Sequence, residues 1–501
     1  MSADAAPFRD VDPSDLKRAS TRGVAINLTG QGAKFVAQLT AQIVLARILA
    51  PADFGLIAMA MPLVNFAVLF RDIGLSQATI QKPELTDAES TAMFWINVAF
   101  SFGLVALTVI VSPLAALLYH DARVTQVLMA LAFLLAFAGL SAQHAALMNR
   151  HFRFGALAFI DVAATFIGAG VAIASALMGA GYWSLVILQL VTSATTTALT
   201  WVMSHWRPSA PTTKVDVRGL LLFGSHVTGS NIVNYFARNL DNILIGAAFG
   251  TSALGLYDRA YKLMTLPLTQ LTQPLGRVAT PLLSRSQHDD AQYRRAFAGV
   301  LELALLCTFP IGLAGATGGH RIIVFFLGER WSEAATIFQW LAFGVFMAPL
   351  GHGTGWLFMT QARTRAMLFW GVVGSLVFVV AIIVGLHWGP VGVAAAYVLS
   401  GYLIQGPMNW WAATRQGPVR LKHFLRIIYP FFLAGALTLA VLYALEPRLP
   451  GGFFGLVLFG LADGIVFLAF LALIPRGRAM LLTLLSRAPL ILPRRFSRPR
   501  G

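Results

Sequence analysis

The stretch that decides the fold is NLTGQGAKFVAQLTAQ, residues 27–42, in which a polar side chain recurs along an otherwise apolar segment. At 100° per residue, the recurring positions share one face of an α-helix about 80° wide. They are Asn27, Gln31, Lys34, Gln38 and Gln42. Polar and cationic groups are costly in hydrocarbon, so this face is expected to border a bundle interior or a wet cavity of a membrane protein.

A matching pattern returns 200 residues later in NIVNYFARNLDN, residues 231–242. Counting on by 200 gives a second polar set without a gap: Asn231, Asn234, Arg238 and Asn242. The segments ILAPADFGL (48–56) and AFGTSALGL (248–256) align at the same offset, and Gly179 corresponds to Gly389 at an offset of 210. The chain is therefore predicted to be a duplication. The alternative is a chance match, with amide side chains serving only as hydrogen-bonding groups between packed helices.

The composition is that of a membrane protein. Hydrophobic residues make up 57% of the 501 and charged residues 12%, with a mean hydropathy of +0.71. A soluble chain of this length would need more charge on its surface. Apolar runs near the spanning length of about 20 residues recur almost throughout. Fourteen spans are predicted, at about 22–48, 54–73, 91–113, 126–147, 157–178, 182–204, 218–247, 253–275, 296–317, 335–358, 365–386, 390–413, 427–446 and 453–475.

These spans predict an all-α polytopic membrane protein with two six-helix lobes and two extra C-terminal helices. Because six is even, the lobes share one orientation, as parallel repeats about an axis along the membrane normal, with a substrate path between them. The predicted parts are an N-terminal tail (1–21), an N-lobe (22–206), a linker (207–217), a C-lobe (218–415), helices thirteen and fourteen (416–475) and a basic tail (476–501).

Basic residues are distributed unevenly between the two sides of the predicted membrane domain. When residues at the edges of spans are counted with the nearer loop, five of the 37 Lys and Arg lie in loops on one side and four lie within spans, and the other 28 lie on the side of the two termini. The five are Arg47, Arg123, Arg321, Arg330 and Arg448. The positive-inside rule then predicts that both termini are cytoplasmic. Topology and attraction to anionic membrane lipids explain most of the net charge of +16, and nucleic-acid binding is not expected.

Several chemical functions are disfavoured by the sequence. The single cysteine, Cys307, excludes an intramolecular disulfide. The polar N-terminal residues do not form a secretory signal, so span one is expected to be the uncleaved insertion signal. No GxxxxGK[ST] pattern and no metal-ligand cluster occur, so neither ATP hydrolysis, nor a metal, nor another cofactor is expected.

Four cationic residues within the spans are candidates for binding an anion. Lys34 and Arg238 belong to the two polar stripes, and Arg259 and Lys262 lie in span eight. Weighed against Asp241 and Asp258, they give an expected excess of two positive charges, which would attract a phosphate, a pyrophosphate or an acidic sugar. With the amides that line the stripes, the predicted substrate-binding residues are Gln31, Lys34, Gln38, Asn231, Asn234, Arg238, Arg259 and Lys262.

Each of these assignments has a structural alternative. Arg238 and Asp241 are three residues apart and could form a local ion pair. Arg259 and Lys262 could extend their charged ends outward along the helix. The candidates for proton coupling or for charge balance are His226, Asp241 and Asp258.

The opening of each half resembles a known family. The segments ILAPADFGLIAMA (48–60), AFGTSALGLYDRAYKL (248–263) and NLDNILIG (239–246), with fourteen spans, are similar to the Wzx-type lipid-linked oligosaccharide flippases. The likeness is to the colanic acid exporter branch, within the multidrug/oligosaccharidyl-lipid/polysaccharide superfamily.

The resemblance implies a V-shaped pair of lobes in the bacterial inner membrane that alternates between inward-open and outward-open states. The implied cargo is an undecaprenyl-pyrophosphate-linked oligosaccharide, used for lipopolysaccharide or exopolysaccharide biosynthesis and moved to the periplasmic leaflet. The implied protein is a monomer and not an enzyme, and a polysaccharide polymerase is its expected partner. Family members carry cations in the central cavity, and Lys34, Arg238, Arg259 and Lys262 fit that type.

Two other functions are weighed against this one. A multidrug exporter of the same superfamily would bind cations, which the intramembrane basic residues disfavour. A membrane polysaccharide polymerase or ligase would need a substantial outer loop with catalytic groups, and the longest outer connection, about 318–334, is too short.

The predicted topology can be measured by cysteine accessibility. In Thr212→Cys, the new thiol should be protected from a membrane-impermeant reagent added outside, because 212 is predicted to be cytoplasmic. In His320→Cys it should react. The unsubstituted chain, whose Cys307 lies within span nine, is the control, and reaction at 212 with protection at 320 would reverse the topology.

Overall fold

The computed structural model describes residues 13–70, 75–82, 85–210 and 218–491. At 13–29, 69–70, 77–78, 81, 218–234, 236–238, 485 and 487–491 it describes the backbone alone. The described elements are helical. They are α1 (Pro13–Ile48), α2 (Pro51–Phe70), α3 (Leu75–Gln81), α4 (Asp87–Tyr119), α5 (Arg123–Arg150), α6 (Phe154–Leu177), α7 (Trp183–Ser204), α8 (Arg218–Arg285), α9 (Asp290–Leu327), α10 (Ala334–Val345), α11 (Ala348–Thr360), α12 (Thr364–Gly385), α13 (Gly389–Ser400), α14 (Gly406–Thr414), α15 (Leu421–Leu445), α16 (Gly452–Leu473) and α17 (Pro475–Ile491).

Local sequence explains where several of these helices begin. Thr86 and Glu89 form a reciprocal capping box at the start of α4. At the start of α9, the Asp289 carboxylate accepts hydrogen bonds from the backbone N–H groups of Ala291 and Gln292. These bonds favour the ionised form and lower the pKa of Asp289 from its ordinary value. Both ends are therefore fixed by side chains that lie just outside the apolar runs.

The helices lie where the apolar runs predicted spans. Within the described residues, ten helical stretches are long and apolar enough to cross a membrane. One of them, Thr364–Thr414, covers two predicted spans and contains Gly389 with φ 72°. An all-helical membrane protein is confirmed, whereas the count of fourteen spans stays a prediction.

Three features differ from the expected element bounds. The helix of span eight, predicted to end at 275, continues to Arg285, which shortens its connection to span nine. Span ten consists of α10 and α11, which are separated at Phe346 and Met347. A five-residue π-helical turn, Gly401–Gln405, interrupts span twelve.

Corresponding turns in the two halves have the same backbone geometry. Phe152 and Ala362 have φ 53° and 54°, and Gly179 and Gly389 have φ 84° and 72°. The members of each pair are 210 residues apart, the offset at which the two glycines align in the sequence. Left-handed backbone is uncommon outside glycine, so its recurrence at Phe152 and Ala362 is a strong local likeness between the halves.

The chain divides into two compact units, Met1–Asp258 and Arg259–Gly501. In the first unit, α4, α5 and α7 pack together, with the His144 ring stacked 4.4 Å from that of Trp201. In the second unit, α15 and α16 pack on α9, where the Phe309 ring lies 5.8 Å from that of Phe467. The predicted boundaries of the lobes remain predictions.

The helix α8 is interrupted by non-helical backbone at Gly250. In the first unit, α2 and the part of α8 that follows Gly250 form a reciprocal contact. A Cβ atom on Gly55 would lie 1.7 Å from the carbonyl oxygen of Thr251, and one on Gly255 would lie 1.9 Å from that of Pro51. Pro51 and Gly55 correspond to Thr251 and Gly255 at the repeat offset of 200. The glycine of each segment therefore faces the carbonyl group four residues before the glycine of the other segment. Backbone carbonyls cannot turn aside as a side chain can, so only glycine fits at both positions.

Adding one methyl group at this contact should destabilise the protein. Gly55→Ala and Gly255→Ala are each expected to lower the free energy of unfolding by about 1–3 kcal/mol, the usual cost of overpacking. Thermal unfolding of the detergent-solubilised protein measures the effect. Gly103→Ala in α4 is the matched control, because no atom lies within 4 Å of a Cβ there. Equal unfolding temperatures for Gly55→Ala and Gly103→Ala would contradict the close approach.

Candidate functional site

Lys34 of the first polar stripe forms an ion pair with Asp161 of α6. The Lys34 Nζ lies 2.9 Å from the Asp161 Oδ2, and the two side chains are 29% and 45% exposed. Close packing of α1 on α6 makes this possible, since a Cβ on Gly30 would lie 3.2 Å from the Ala158 Cβ. The pair is accessible, so it is not sealed inside the protein.

An ammonium group has three N–H donors, and the observed bond to Asp161 uses one of them. The others can reach a second acceptor without breaking the pair. Lys34 can therefore hold an anionic oxygen while its charge is already partly balanced by Asp161. The chemistry available here is binding of an anion with moderate strength.

The other stripe residues of α1 lie beside its buried face. Gln31 is exposed and Gln38 is half-buried. The helix buries Ala37 and Ala41 instead, at 5% and 4% exposure. The amides of this stripe are therefore not consumed by packing and remain accessible.

Asp161 was missed by the sequence reasoning, although a single acid within span five was a usable signal. The expected excess of two positive charges is wrong for the same reason. Asp161, Glu302 and Asp463 also lie within predicted spans, so acids and bases there are more nearly balanced than expected. Net charge is consequently a weaker argument for anion binding than the exposure of Lys34.

Asp241 is held by two hydrogen bonds within the first unit. Its Oδ2 accepts from the Tyr257 hydroxyl at 3.0 Å, and its Oδ1 accepts from the Asn242 backbone N–H at 2.8 Å. Asp241 and Tyr257 lie on either side of Gly250, where the chain reverses with φ 80° and ψ −170°. The carboxylate is only 6% exposed, so its geometry favours a structural role in fixing this reversal.

The three candidates at the start of span eight differ in burial. Asp258 and Arg259 are buried, at 4% and 9% exposure, and Lys262 is half-buried. All three interact with other residues of the chain. Burial of Arg259 contradicts the alternative in which its guanidinium extends outward to water.

Four predicted site residues lie outside the described side chains. They are His226, Asn231, Asn234 and Arg238, all on the α8 backbone. The proposed Arg238–Asp241 ion pair is therefore untested. Among the described residues, no group of three or more His, Cys, Asp and Glu side chains could hold a metal ion.

The family of the chain follows from a match to residues 44–336. The sequence model of the family that matches these residues describes a polysaccharide biosynthesis protein. The chain belongs to this family. This match confirms, at the level of the family, the resemblance that the start segments of the two halves indicated.

Curated relatives extend the match beyond the family model. The chain is 25% identical to the lipopolysaccharide biosynthesis protein WzxC of Escherichia coli (strain K12), over 81% of this chain and 84% of the relative. It is 26% identical to the succinoglycan biosynthesis transport protein ExoT of Rhizobium meliloti (strain 1021), over 73% and 77%. It is 24% identical to the teichuronic acid biosynthesis protein TuaB of Bacillus subtilis (strain 168), over 74% and 78%.

Solved structures show the fold. The inward closed conformation of the lipid II flippase MurJ aligns with a TM-score of 0.72, at 14% identity, over 91% of this chain and 100% of that one. An inward-facing multidrug transporter of the MATE family aligns with a TM-score of 0.59, at 14% identity, over 79% and 94%. The protein is thus a multi-pass membrane protein of the bacterial inner membrane with a MurJ-like and MATE-like fold.

Stability measurements can test whether the Lys34–Asp161 pair is accessible. Lys34→Ala should lower the free energy of unfolding by no more than about 1 kcal/mol, the usual limit for exposed ion pairs. Arg123→Ala is the matched control, because it removes an exposed pair with Asp121 at 2.7 Å. A loss of about 3–5 kcal/mol for Lys34→Ala alone would identify a buried pair and contradict an anion site there.

Proposed function

We propose that the protein flips undecaprenyl-pyrophosphate-linked oligosaccharide repeat units across the bacterial inner membrane for surface polysaccharide biosynthesis. The observation that carries this proposal is the accessible Lys34–Asp161 pair on the polar stripe of α1. Charged side chains in membrane helices are costly and usually paired, and their retention indicates a substrate or ion path. Lys34 keeps donors available for the oxygens of a pyrophosphate head group.

The proposed mechanism is alternating access without covalent chemistry. The lipid tail stays in the bilayer while the charged head and the sugars cross through a wet cleft. Gln31 and Gln38 exchange hydrogen bonds with sugar hydroxyls, and Lys34 offsets pyrophosphate charge. Asp161 already balances part of the ammonium charge, which keeps binding weak enough for release.

The remaining predicted residues complete this proposal. Arg238, Asn231 and Asn234 would contribute the second stripe, and Arg259 and Lys262 further positive charge. Asp258 and His226 remain candidates for coupling or charge balance. Both termini are proposed to be cytoplasmic, with the basic tail against anionic lipids. A polymerase that accepts the flipped repeat unit is the proposed partner, and the protein is proposed to act as a monomer.

The relatives' names support the class of substrate but do not identify its sugar. WzxC, TuaB and ExoT are named for lipopolysaccharide, teichuronic acid and succinoglycan, three different surface polymers. A shared carrier-linked head group explains one family that serves different sugars. The alternative of a multidrug exporter rests on a fold that MATE transporters share, and fold alone does not determine the cargo.

Export by variants tests the proposed role of the stripe cations. Lys34→Ala or Arg238→Ala in a deletion strain should lower surface polysaccharide about tenfold or more, because a hydrogen bond to a charged group is worth about 1.5–3 kcal/mol. Arg123→Ala, which removes a cation from an exposed outer pair, should export normally. Immunoblots of isolated membranes control for abundance.

Normal export by both Lys34→Ala and Arg238→Ala would remove the binding assignment. A reconstituted assay with defined lipid-linked sugars, run with and without a proton gradient, separates the two transporter functions. Movement of amphipathic drugs without movement of lipid-linked sugars would favour the multidrug alternative.

A further inference from the structure

The second unit contains an open cavity of about 330 Å³ that is lined by three irregular helical segments. One wall is the face of α8 formed by Tyr261, Met264, Thr265 and Leu268, at positions i, i+3, i+4 and i+7. The second is the junction of α10 with α11, and the third runs from α13 through the π-helical turn into α14. The volume lies at the lower end of the range of about 300–1,000 Å³ for small-molecule sites.

Each of the three walls carries a proline near the cavity. Pro267 lies inside α8, where it has no N–H for the carbonyl four residues earlier, and Pro349 and Pro407 lie in the first turns of α11 and α14, just after the interruptions. Irregular backbone at membrane depth is tolerated where it is buried in protein or lines a wet cavity. The convergence of three such segments on one cavity favours a wet site.

The cavity is lined mainly by aliphatic side chains and glycines, with polar and aromatic side chains among them and no charged ones. Its polar groups include the amides of Gln405 and Asn409 and the hydroxyls of Thr265 and Thr354. The Thr265 hydroxyl donates to the Tyr261 carbonyl and the Thr354 hydroxyl to that of Gly351, so both oxygens remain able to accept. No Asp, Glu, Lys, Arg or His is among its lining residues, all of which are described. A pyrophosphate or a cationic drug would find no opposite charge here.

Trp410 provides a fixed aromatic surface in this cavity. Its ring lies 5.6 Å from that of Phe424, and a Cβ on Gly406 would lie 3.3 Å from its Cζ2, so the indole is packed on two sides. Asn409 precedes it on the same wall, and among the described residues its amide has no hydrogen-bond partner. A fixed ring beside an uncommitted amide suits a flat ligand that has C–H groups on its face and hydroxyls at its edge.

We propose that this cavity binds a neutral sugar ring of the transported oligosaccharide, with Trp410 stacked on the ring and Asn409, Gln405, Thr265 and Thr354 bonded to its hydroxyls. The inference rests on the proposed flippase function and adds a sugar site separate from Lys34. An apolar chain would leave the Asn409 amide unpaired, so a lipid tail is disfavoured. Sugar preference would then be set in the second unit.

The test measures binding of uncharged sugars to the purified full-length protein. Saturation-transfer NMR is recorded with the methyl glycosides of glucose, galactose, mannose and N-acetylglucosamine at millimolar concentration. At least one glycoside should give a signal with the unsubstituted protein. Trp410→Ala and the similarly sized Asn409→Leu should each weaken binding about tenfold or more, as expected when stacking or a paired amide is lost.

Trp411→Ala is the matched control, because Trp411 follows in the same helix but packs on Trp370 and Arg415 instead of lining the cavity. It should bind sugar as the unsubstituted protein does. Trp410→Phe keeps an aromatic face and should retain most of the binding. It therefore tests the stacking contact even if Trp410→Ala misfolds. Thermal unfolding of every variant accompanies the binding measurement.

No signal from any glycoside, or equal signals from Trp410→Ala, Asn409→Leu and Trp411→Ala, would overturn the sugar site. If the reconstituted protein nevertheless flips lipid-linked oligosaccharide, the proposed function survives that result. If glycosides bind through Trp410 but no lipid-linked sugar is moved, the cavity is a sugar site and the proposed flippase function fails.

Discussion

The constraint on which this structure depends is that hydrocarbon supplies no hydrogen bonds. Every backbone group within the membrane must find its partner inside the protein, so the described elements are helices. The interruptions obey the same rule. At the junction of α10 with α11, the Tyr402 hydroxyl donates to the Phe343 carbonyl at 2.8 Å. Irregular backbone survives where a side chain from another segment satisfies it.

The same constraint applies to charge and separates two kinds of ionised residue. Asp241 is buried and both of its oxygens are occupied, which matches a group that holds a chain reversal in place. Lys34 and Asp161 also pair, yet both stay accessible. Pairing lowers the cost of placing these charges at membrane depth, and access leaves them able to bind something else. Burial and pairing together therefore distinguish structural from functional charges better than the identity of the residue does.

The sequence predicted features that depend on one segment and its neighbours. Apolar runs predicted the spans because lipid-facing side chains must be apolar along their whole length. The repeat offset showed that Gly55 corresponds to Gly255. It could not show that the two glycines face each other, because that depends on how α2 and α8 cross. The break at Phe346 and Met347 was missed, since it needs a hydroxyl from a distant helix. Asp161 was overlooked although its isolation in an apolar span was visible.

A cargo with a charged head and neutral sugars needs two kinds of recognition. Lys34 in the first unit offers charge that is already shared with Asp161, whereas the cavity beside Trp410 in the second unit offers hydrogen bonds and an aromatic face without charge. A transporter must bind its cargo well enough to select it and weakly enough to release it. Two modest interactions with different chemistry meet that requirement better than one strong ion pair, because each can be broken separately. Under the proposed function, selection among sugars would change through the neutral cavity, while Lys34 would keep one role toward the pyrophosphate.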